Sequence, residues 1–482
     1  MHTQSKSQSQ TQSQTQSQTQ SQTQSLSLSP SQIVTLSGFR SERLDNERDI
    51  YVYLPPGYRD PERANVRYPV LYMHDGQHVF AADDRGGSWE ANVTADRLIL
   101  EGKIRPLIIV GVATVNHERI AEYMHPLPDD GEVYGMKGRG DAYERFLIEE
   151  LKPFIDLEFR TLTGSAHTGV LGSSAGGLVS YNLGFRRPDA FGLVGALCPF
   201  FVKPDPEQRT EEWLSRIYRG KPNLRVWMDV GDAEGFTVMD KHVRVVARAM
   251  LEAGFESGRD LAYHYVPGSG HYQKDWAARL HAPLLFLFGQ IGQVVESRLH
   301  GTDTIGLIGP PARLYPIDTY DSGFFCTNLA ADYRVADPGI LSIAPDGTLT
   351  PLRAGSTEVT YTNACGQTVI HAVTVVPELP ERVRVSVRVE VPEGTPEEER
   401  IYAGIELPRI APREYGGTFL LPSDFAVEFR ISRGMGADEA DESGRLHPYH
   451  MLRAREGLVA EYRVAGWIDQ VRADRTENGE ER

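Results

Sequence analysis

Between residues 33 and 289 the chain alternates short, uninterrupted apolar runs with longer stretches of helical periodicity, and this alternation restrains its fold more than any other feature. The runs are "DIYVYLP" (49–55), "YPVLYMH" (68–74), "PLIIVGVA" (106–113), "HTGVLG" (167–172), "LRVWMDVG" (224–231) and "LAYHYVPG" (261–268). Strands that are apolar on both faces must be covered on both, which is the condition of a parallel sheet flanked by crossover helices. Between them, "DAYERFLIEELKPFID" gathers Phe146, Leu147, Ile148 and Leu151 near one helical face. "DKHVRVVARAMLEAG" repeats Val243, Val246, Ala247 and Met250 at helical spacing before a glycine stop. The expectation is an α/β domain with a mostly parallel sheet over residues 33–290.

After residue 290 the pattern changes. Residues 307–377 read as short strands broken by "DPG", "PDGT" and "RAGST", which predicts a small antiparallel β-sandwich. Residues 380–470 predict a second small all-β sandwich, since "RVRVSVRVEVP" alternates apolar and charged side chains with period two. Residues 1–32 are dominated by a Ser/Gln/Thr repeat too poor in apolar side chains to repay the entropy of ordering, and residues 471–482 form a charged tail. The repeat lacks the basic start and apolar stretch of a secretory signal, so sequence alone favours the cytoplasm, while the appended domain types leave an extracellular location open.

The 482 residues carry a formal net charge of −16, which argues against nucleic acid as a partner, and no apolar run is long enough to span a membrane. Cys198, Cys326 and Cys365 lack metal-ligand spacing, so a structural metal is not expected, and the serine chemistry read below requires neither a metal nor an organic cofactor. Cys326 and Cys365 fall in one predicted sandwich, which leaves a disulfide between them open.

The chemistry centres on "VLGSSAGGL". Ser174 lies directly after a predicted strand and before a predicted helix, with Gly172 and Gly176 where a tight strand-to-helix turn needs them. A serine hydroxyl attacks only if a base takes its proton and an acid orients that base. His271, in the glycine-rich loop "VPGSGHYQKDW" after the last strand, has the position and chain order for the base; His74, His242 and His281 do not. The acid belongs in "GDAEGF" after the strand before it, where Glu234 and Asp232 are both available and spacing does not choose. Two backbone N–H donors must face the oxyanion, and Ala175 with Gln77 in "DGQHVF" are the candidates.

Taken in order, "RDIYVYLPPGY", "YPVLYMHDGQHVF", "IIVGVATVNHERIAEY", "FLIEELKPFID", "GVLGSSAGGL", "DVGDAEG" and "GSGHYQKDWAARL" resemble the Putative esterase family, which takes in enterochelin, feruloyl and acetyl xylan esterases, esterase D and the mycolyltransferases. The resemblance implies an α/β-hydrolase fold, acyl-ester chemistry at Ser174 and an acid at Glu234. Ala175 departs from the Leu or Met common after the serine. In "NHERIAEY", Arg119, Glu122 and Tyr123 are candidate substrate-binding residues, with an internal salt bridge as the alternative. Residues 307–377 look like a bacterial immunoglobulin-like domain of the group-2 type. The last module is similar to starch-binding-type carbohydrate modules, implying weak glycan binding at most, because Ile405, Glu406 and Leu407 stand where polar and aromatic residues are expected. The function expected is a serine carboxylic-ester hydrolase acting on a carbohydrate-linked or siderophore-type ester. The alternatives are an acyltransferase with the same triad, or a scaffold that keeps the fold without the chemistry.

Overall fold

Eight strands build the central sheet of the α/β domain: β1 (Gln32–Ser41), β2 (Asn46–Leu54), β3 (Val70–His74), β4 (Ile108–Val112), β5 (Thr168–Ser173), β6 (Leu193–Leu197), β7 (Arg225–Gly231) and β8 (Leu261–Val266). Their order is β1-β2-β4-β3-β5-β6-β7-β8. From β4 to β8 every neighbouring pair is parallel, while β1–β2 and β2–β4 are antiparallel. This computed structural model describes residues 28–82, 87–127, 131–133, 135–205, 210–235, 239–434 and 436–471. The Ser/Gln-rich residues 1–27 and the charged residues 472–482 lie outside them.

The two strands that sequence patterning misses are instructive. β1 is an edge strand whose side chains are mostly exposed or half-buried, so it lacks the apolar run that marks the others. β6, "LVGAL", is fully buried but short and interrupted by a glycine. Strands β3, β4, β5 and β6 are buried at every position, as a sheet covered on both faces requires. The predicted helix over 141–156 runs through Gly140–Arg145, a π-helical turn at Phe146–Leu151 and Lys152–Glu158. No helix among the described residues is long and apolar enough to cross a membrane.

The first β module starts at Val294, earlier than its sequence suggests. One sheet runs Val294–Gly301, Ala312–Tyr320, Thr348–Pro351, Leu341–Ile343, and the other Thr304–Ile308, Thr368–Glu378, Gly355–Thr362, Tyr333–Val335. Side chains of both sheets, including Ile305, Leu314, Leu349, Val359 and Val373, share one core. Thr304–Ile308 and Thr368–Glu378 pair in parallel, so the module is not wholly antiparallel. Its short strand Phe325–Thr327, paired with Ile317–Thr319, carries the segment 324–329 into the neighbouring domain: Phe324, Cys326 and Leu329 are buried in the core of the α/β domain. Phe324 packs edge-on to Trp227 and stacks on Phe286, and the Phe325 ring lies 4.4 Å from that of His264. Cys326 and Cys365 are both free thiols, the first buried and the second exposed.

The last module centres on a four-stranded sheet in which Arg382–Glu390 lies between Glu414–Pro422 and Leu458–Arg463. The period-two alternation buries Val383, Val385, Val387 and Val389 in its core. Trp467 is fully buried, with Nε1 donating to Thr395 Oγ1 at 2.9 Å, so its ring offers no face for stacking on a sugar.

Candidate active site

Four consecutive strands of the sheet, β5 to β8, deliver Ser174, Cys198, the acid loop and the His271 loop to one edge, the C-terminal ends of the parallel strands. This is where open α/β sheets place their sites. Ser174 joins β5 to the helix Ala175–Arg186 and adopts φ 58°, ψ −124°, a left-handed conformation that a serine enters only under constraint. The constraint is visible in its surroundings. The Ser174 N–H donates to Leu197 O, and a Cβ at Gly172 would sit 2.7 Å from the Gly176 carbonyl carbon. Only glycines let the strand turn this sharply into the helix, and Ser174 is half-buried while its neighbours on both sides are buried.

His271 stands in the loop after β8 with Nδ1 2.9 Å from Glu234 Oε2. The Glu234 carboxylate is nearly sealed from solvent and also accepts the Gly231 N–H through Oε1 at 2.6 Å. Trp276 meets the His271 ring edge-on at 5.2 Å. Below the pair, Cys198 accepts from Trp276 Nε1 and Arg279 Nη2, and burial, aided by the nearby Glu234 carboxylate, pushes its thiol well above the ordinary range. Arg279 pairs with Asp229 at 3.0 Å and donates to Ser269 Oγ at 2.6 Å, tying β7 to the histidine loop. Sequence reasoning missed these supports; "KDWAARL" placed Trp276 and Arg279 just downstream of His271, but their partners are remote in the chain.

Asp232, the alternative acid, faces elsewhere. Its Oδ1 accepts the Gly268 N–H at 2.5 Å and its Oδ2 pairs with Arg453 at 2.8 Å. The other histidines are engaged away from Ser174. His74 is buried against Tyr143 Oη at 2.9 Å and burial lowers its pKa to about 4, His242 pairs with Glu211, and His281 packs edge-on to Phe325.

Ala175 opens its helix, in the first turn whose amides have no helical acceptor. Gln77 lies in a short 3₁₀ turn, Gly76–His78, laid directly on β4: a Cβ at Gly76 would fall 2.4 Å from the Gly111 carbonyl carbon. The Gln77 side chain is locked on Thr114 by two hydrogen bonds, Nε2 to Oγ1 at 2.8 Å and Thr114 N–H to Oε1 at 3.1 Å.

Of the candidate substrate-binding residues Arg119, Glu122 and Tyr123, the last two are fully buried and so cannot meet a substrate as the chain stands. Arg119 and Glu122 instead form internal salt bridges, the alternative reading of the motif. Glu122 binds Arg48 at 2.7 and 2.9 Å, and Arg119 binds Asp75 at 2.6 and 2.7 Å. Tyr123 Oη accepts the Asp75 N–H at 3.0 Å. The motif therefore holds the Asp75–Gln77 loop in place from behind.

Cys198, Glu234 and His271 bring ligand-type atoms within 4.8 Å of one another, as do Glu439, His447 and His450 in the last module. In the first group the buried thiol favours its protonated form and Glu234 is already committed to Gly231 and His271, which suits proton transfer better than metal ligation. A cavity of about 240 Å3 lined by Val34, Leu36, Tyr58 and Phe154 contains none of the candidate site residues.

A model of the family described as Putative esterase matches residues 41–287, half of the chain. The chain is 32% identical over 226 residues to an endo-1,4-β-xylanase/feruloyl esterase of Xylanibacter ruminicola, a match covering 45% of the chain and 27% of that relative, so the chain spans about a quarter of its length. It is 24% identical over 208 residues to a ferri-bacillibactin esterase of Bacillus subtilis, covering 40% of the chain and 68% of the relative. Among solved structures, a ferulic acid esterase from Anaeromyces mucronatus aligns with a TM-score of 0.39 at 22% identity, over 54% of this chain and 92% of the other. The enterobactin esterase from Shigella flexneri aligns at 0.40 and 17%, over 54% and 60%.

Proposed function

The chain belongs to the Putative esterase family, and on that premise we propose that it cleaves esters through an acyl-enzyme on Ser174. The observation that carries this reading is the His271–Glu234 pair at 2.9 Å on the same sheet edge as a serine held at φ 58°. With Nδ1–H donated to Glu234, the imidazole keeps Nε2 as the base. Ser174 Oγ attacks the ester carbonyl as His271 takes its proton, and the Ala175 and Gln77 N–H groups face the oxyanion. Collapse of the tetrahedral intermediate expels the alcohol, which receives the proton from His271. Water, activated by the same imidazole, then attacks the acyl-enzyme and releases the acid. Glu234 stays ionised and stabilises the imidazolium in both steps.

For substrate, we propose a carbohydrate-linked acyl ester of the feruloyl type. The relative with 32% identity supports it, being named a xylanase/feruloyl esterase. The siderophore-type alternative leans partly on Arg119, Glu122 and Tyr123, and the burial of two of these withdraws that support. The test is hydrolysis of a short-chain p-nitrophenyl ester, methyl ferulate and a catecholate trilactone by the protein and by Ser174→Ala. Expected are turnover of the first two and a loss of at least about 10³-fold in kcat on substitution. Unchanged rates in Ser174→Ala would remove the acyl-enzyme, and preference for the trilactone would reverse the substrate assignment.

A further inference from the structure

The acid loop and the histidine loop are both gripped by the last β module, which sequence patterning marks only as a separate appendage. Its strand Ala426–Phe429 pairs on one side with His450–Arg453. On the other side it meets the acid loop: Val427 forms a β-bridge with Glu234, and the Glu428 N–H donates to Ala233 O at 2.9 Å. The Ala233 N–H in turn donates to Ser269 O at 3.1 Å, so one hydrogen-bonded ribbon runs from the module through the acid loop into the histidine loop.

Side chains repeat the connection. Arg453 of the module binds Asp232 Oδ2 at 2.8 Å, and Asp232 Oδ1 accepts the Gly268 N–H at 2.5 Å. Lys274 binds Glu428 Oε1 at 2.7 Å, Tyr272 Oη donates to Glu428 O at 3.1 Å, and the Tyr272 and Tyr449 rings pack at 4.1 Å. At Gly270, the residue before His271, a Cβ would stand 2.2 Å from Glu428 Oε2, so glycine is what lets the module come this close.

We propose that the strand pair Ala426–Phe429 and His450–Arg453 is a positioning element of the active site, with Arg453 acting through Asp232 to hold the loops that carry Glu234 and His271 in mutual register. The inference rests on the reading of His271 and Glu234 as the working pair. Asp232 becomes a connector in this arrangement, because its two oxygens join the module to the histidine loop. A charge-assisted hydrogen bond to a carboxylate that is 6% exposed is the kind of contact that fixes geometry, and proton transfer is sensitive to geometry at the scale of about 1 Å.

The experiment compares full-length Arg453→Ala and Arg453→Lys with the parent and with Ser174→Ala, measuring kcat, KM and melting temperature on a p-nitrophenyl ester. Arg453 is one-third exposed and its loss leaves the module's core intact, so the expected result for Arg453→Ala is a fall of about 10-fold in kcat with KM and melting temperature nearly unchanged. Arg453→Lys recovers most of the rate. A kcat equal to the parent's, a loss that tracks unfolding, a rise in KM alone, or no recovery with lysine would each overturn the inference. Glu428→Pro compared with Glu428→Ala, both lacking the carboxylate on Lys274 but only the first lacking the donor to Ala233, tests the backbone half in the same assay, and the proline variant is expected to have the lower kcat; equal kcat values count against it. Ser174→Ala separates the two claims: if it keeps its activity the acyl-enzyme reading fails, whereas its inactivity beside a fully active Arg453→Ala overturns only this inference.

Discussion

The central sheet and the sheet of the last module solve the same problem, keeping a β layer dry, with opposite economies of sequence. β3 to β6 are buried at every residue, and β3, β4 and β5 read as apolar runs. Arg382–Glu390 is buried at every second residue and alternates valine with polar or charged side chains. The first kind of strand must be covered on both faces, so the polar groups of its sheet neighbours β2 and β7 are also enclosed, as the buried Arg48–Glu122 and Arg279–Asp229 pairs. The second sends its charges to water and depends on one apolar face.

That contrast can be broken most forcefully at Glu122. Glu122→Ala strands the Arg48 guanidinium, whose side chain is 1% exposed, and should cost about 3–5 kcal/mol in denaturant unfolding. A cost under about 1 kcal/mol would mean that the pair is dispensable to the sheet. Acid comes next. Burial lowers His74 to about 4 and His264 to about 3 from an ordinary 6.5, so the unfolded chain binds protons that the folded chain refuses. Their contribution is complete above about pH 6.5 and drains away as pH falls towards 4. Melting temperature should therefore drop across that window, and less steeply in His264→Gln; parallel curves would show that His264 does not contribute. In the module, Val385→Ala should cost about 2 kcal/mol. Arg384→Ala, one residue away but 73% exposed in an ion pair with Glu456, should cost less than about 1 kcal/mol. Equal costs at those two positions would dissolve the one-faced description.

The same contrast explains what was legible in the sequence. Continuous apolar runs located six of the eight central strands, and the glycine-flanked turn located Ser174, because these signals are local. Glu234 and Asp232 lie two residues apart on one loop, and what separates them is partners 37 and 221 residues away, His271 and Arg453. Arg119, Glu122 and Tyr123 sit at helical spacing that suits a binding face or an internal contact equally. Their partners Asp75 and Arg48, 44 and 74 residues upstream, decide for the interior. The segment 324–329 carries no local sign that it packs under the neighbouring sheet.

That segment has a consequence for handling the protein. β8 is the last strand of the central sheet, and an uncovered last strand presents a row of backbone donors and acceptors that recruits other chains. Here Phe325–Thr327 lies along it, Thr327 Oγ1 accepting the Tyr265 N–H at 3.0 Å while Phe324 covers Trp227. A fragment ending near residue 290, where the family match stops, would leave that row and those rings bare, and would self-associate even with Ser174, Glu234 and His271 all in place.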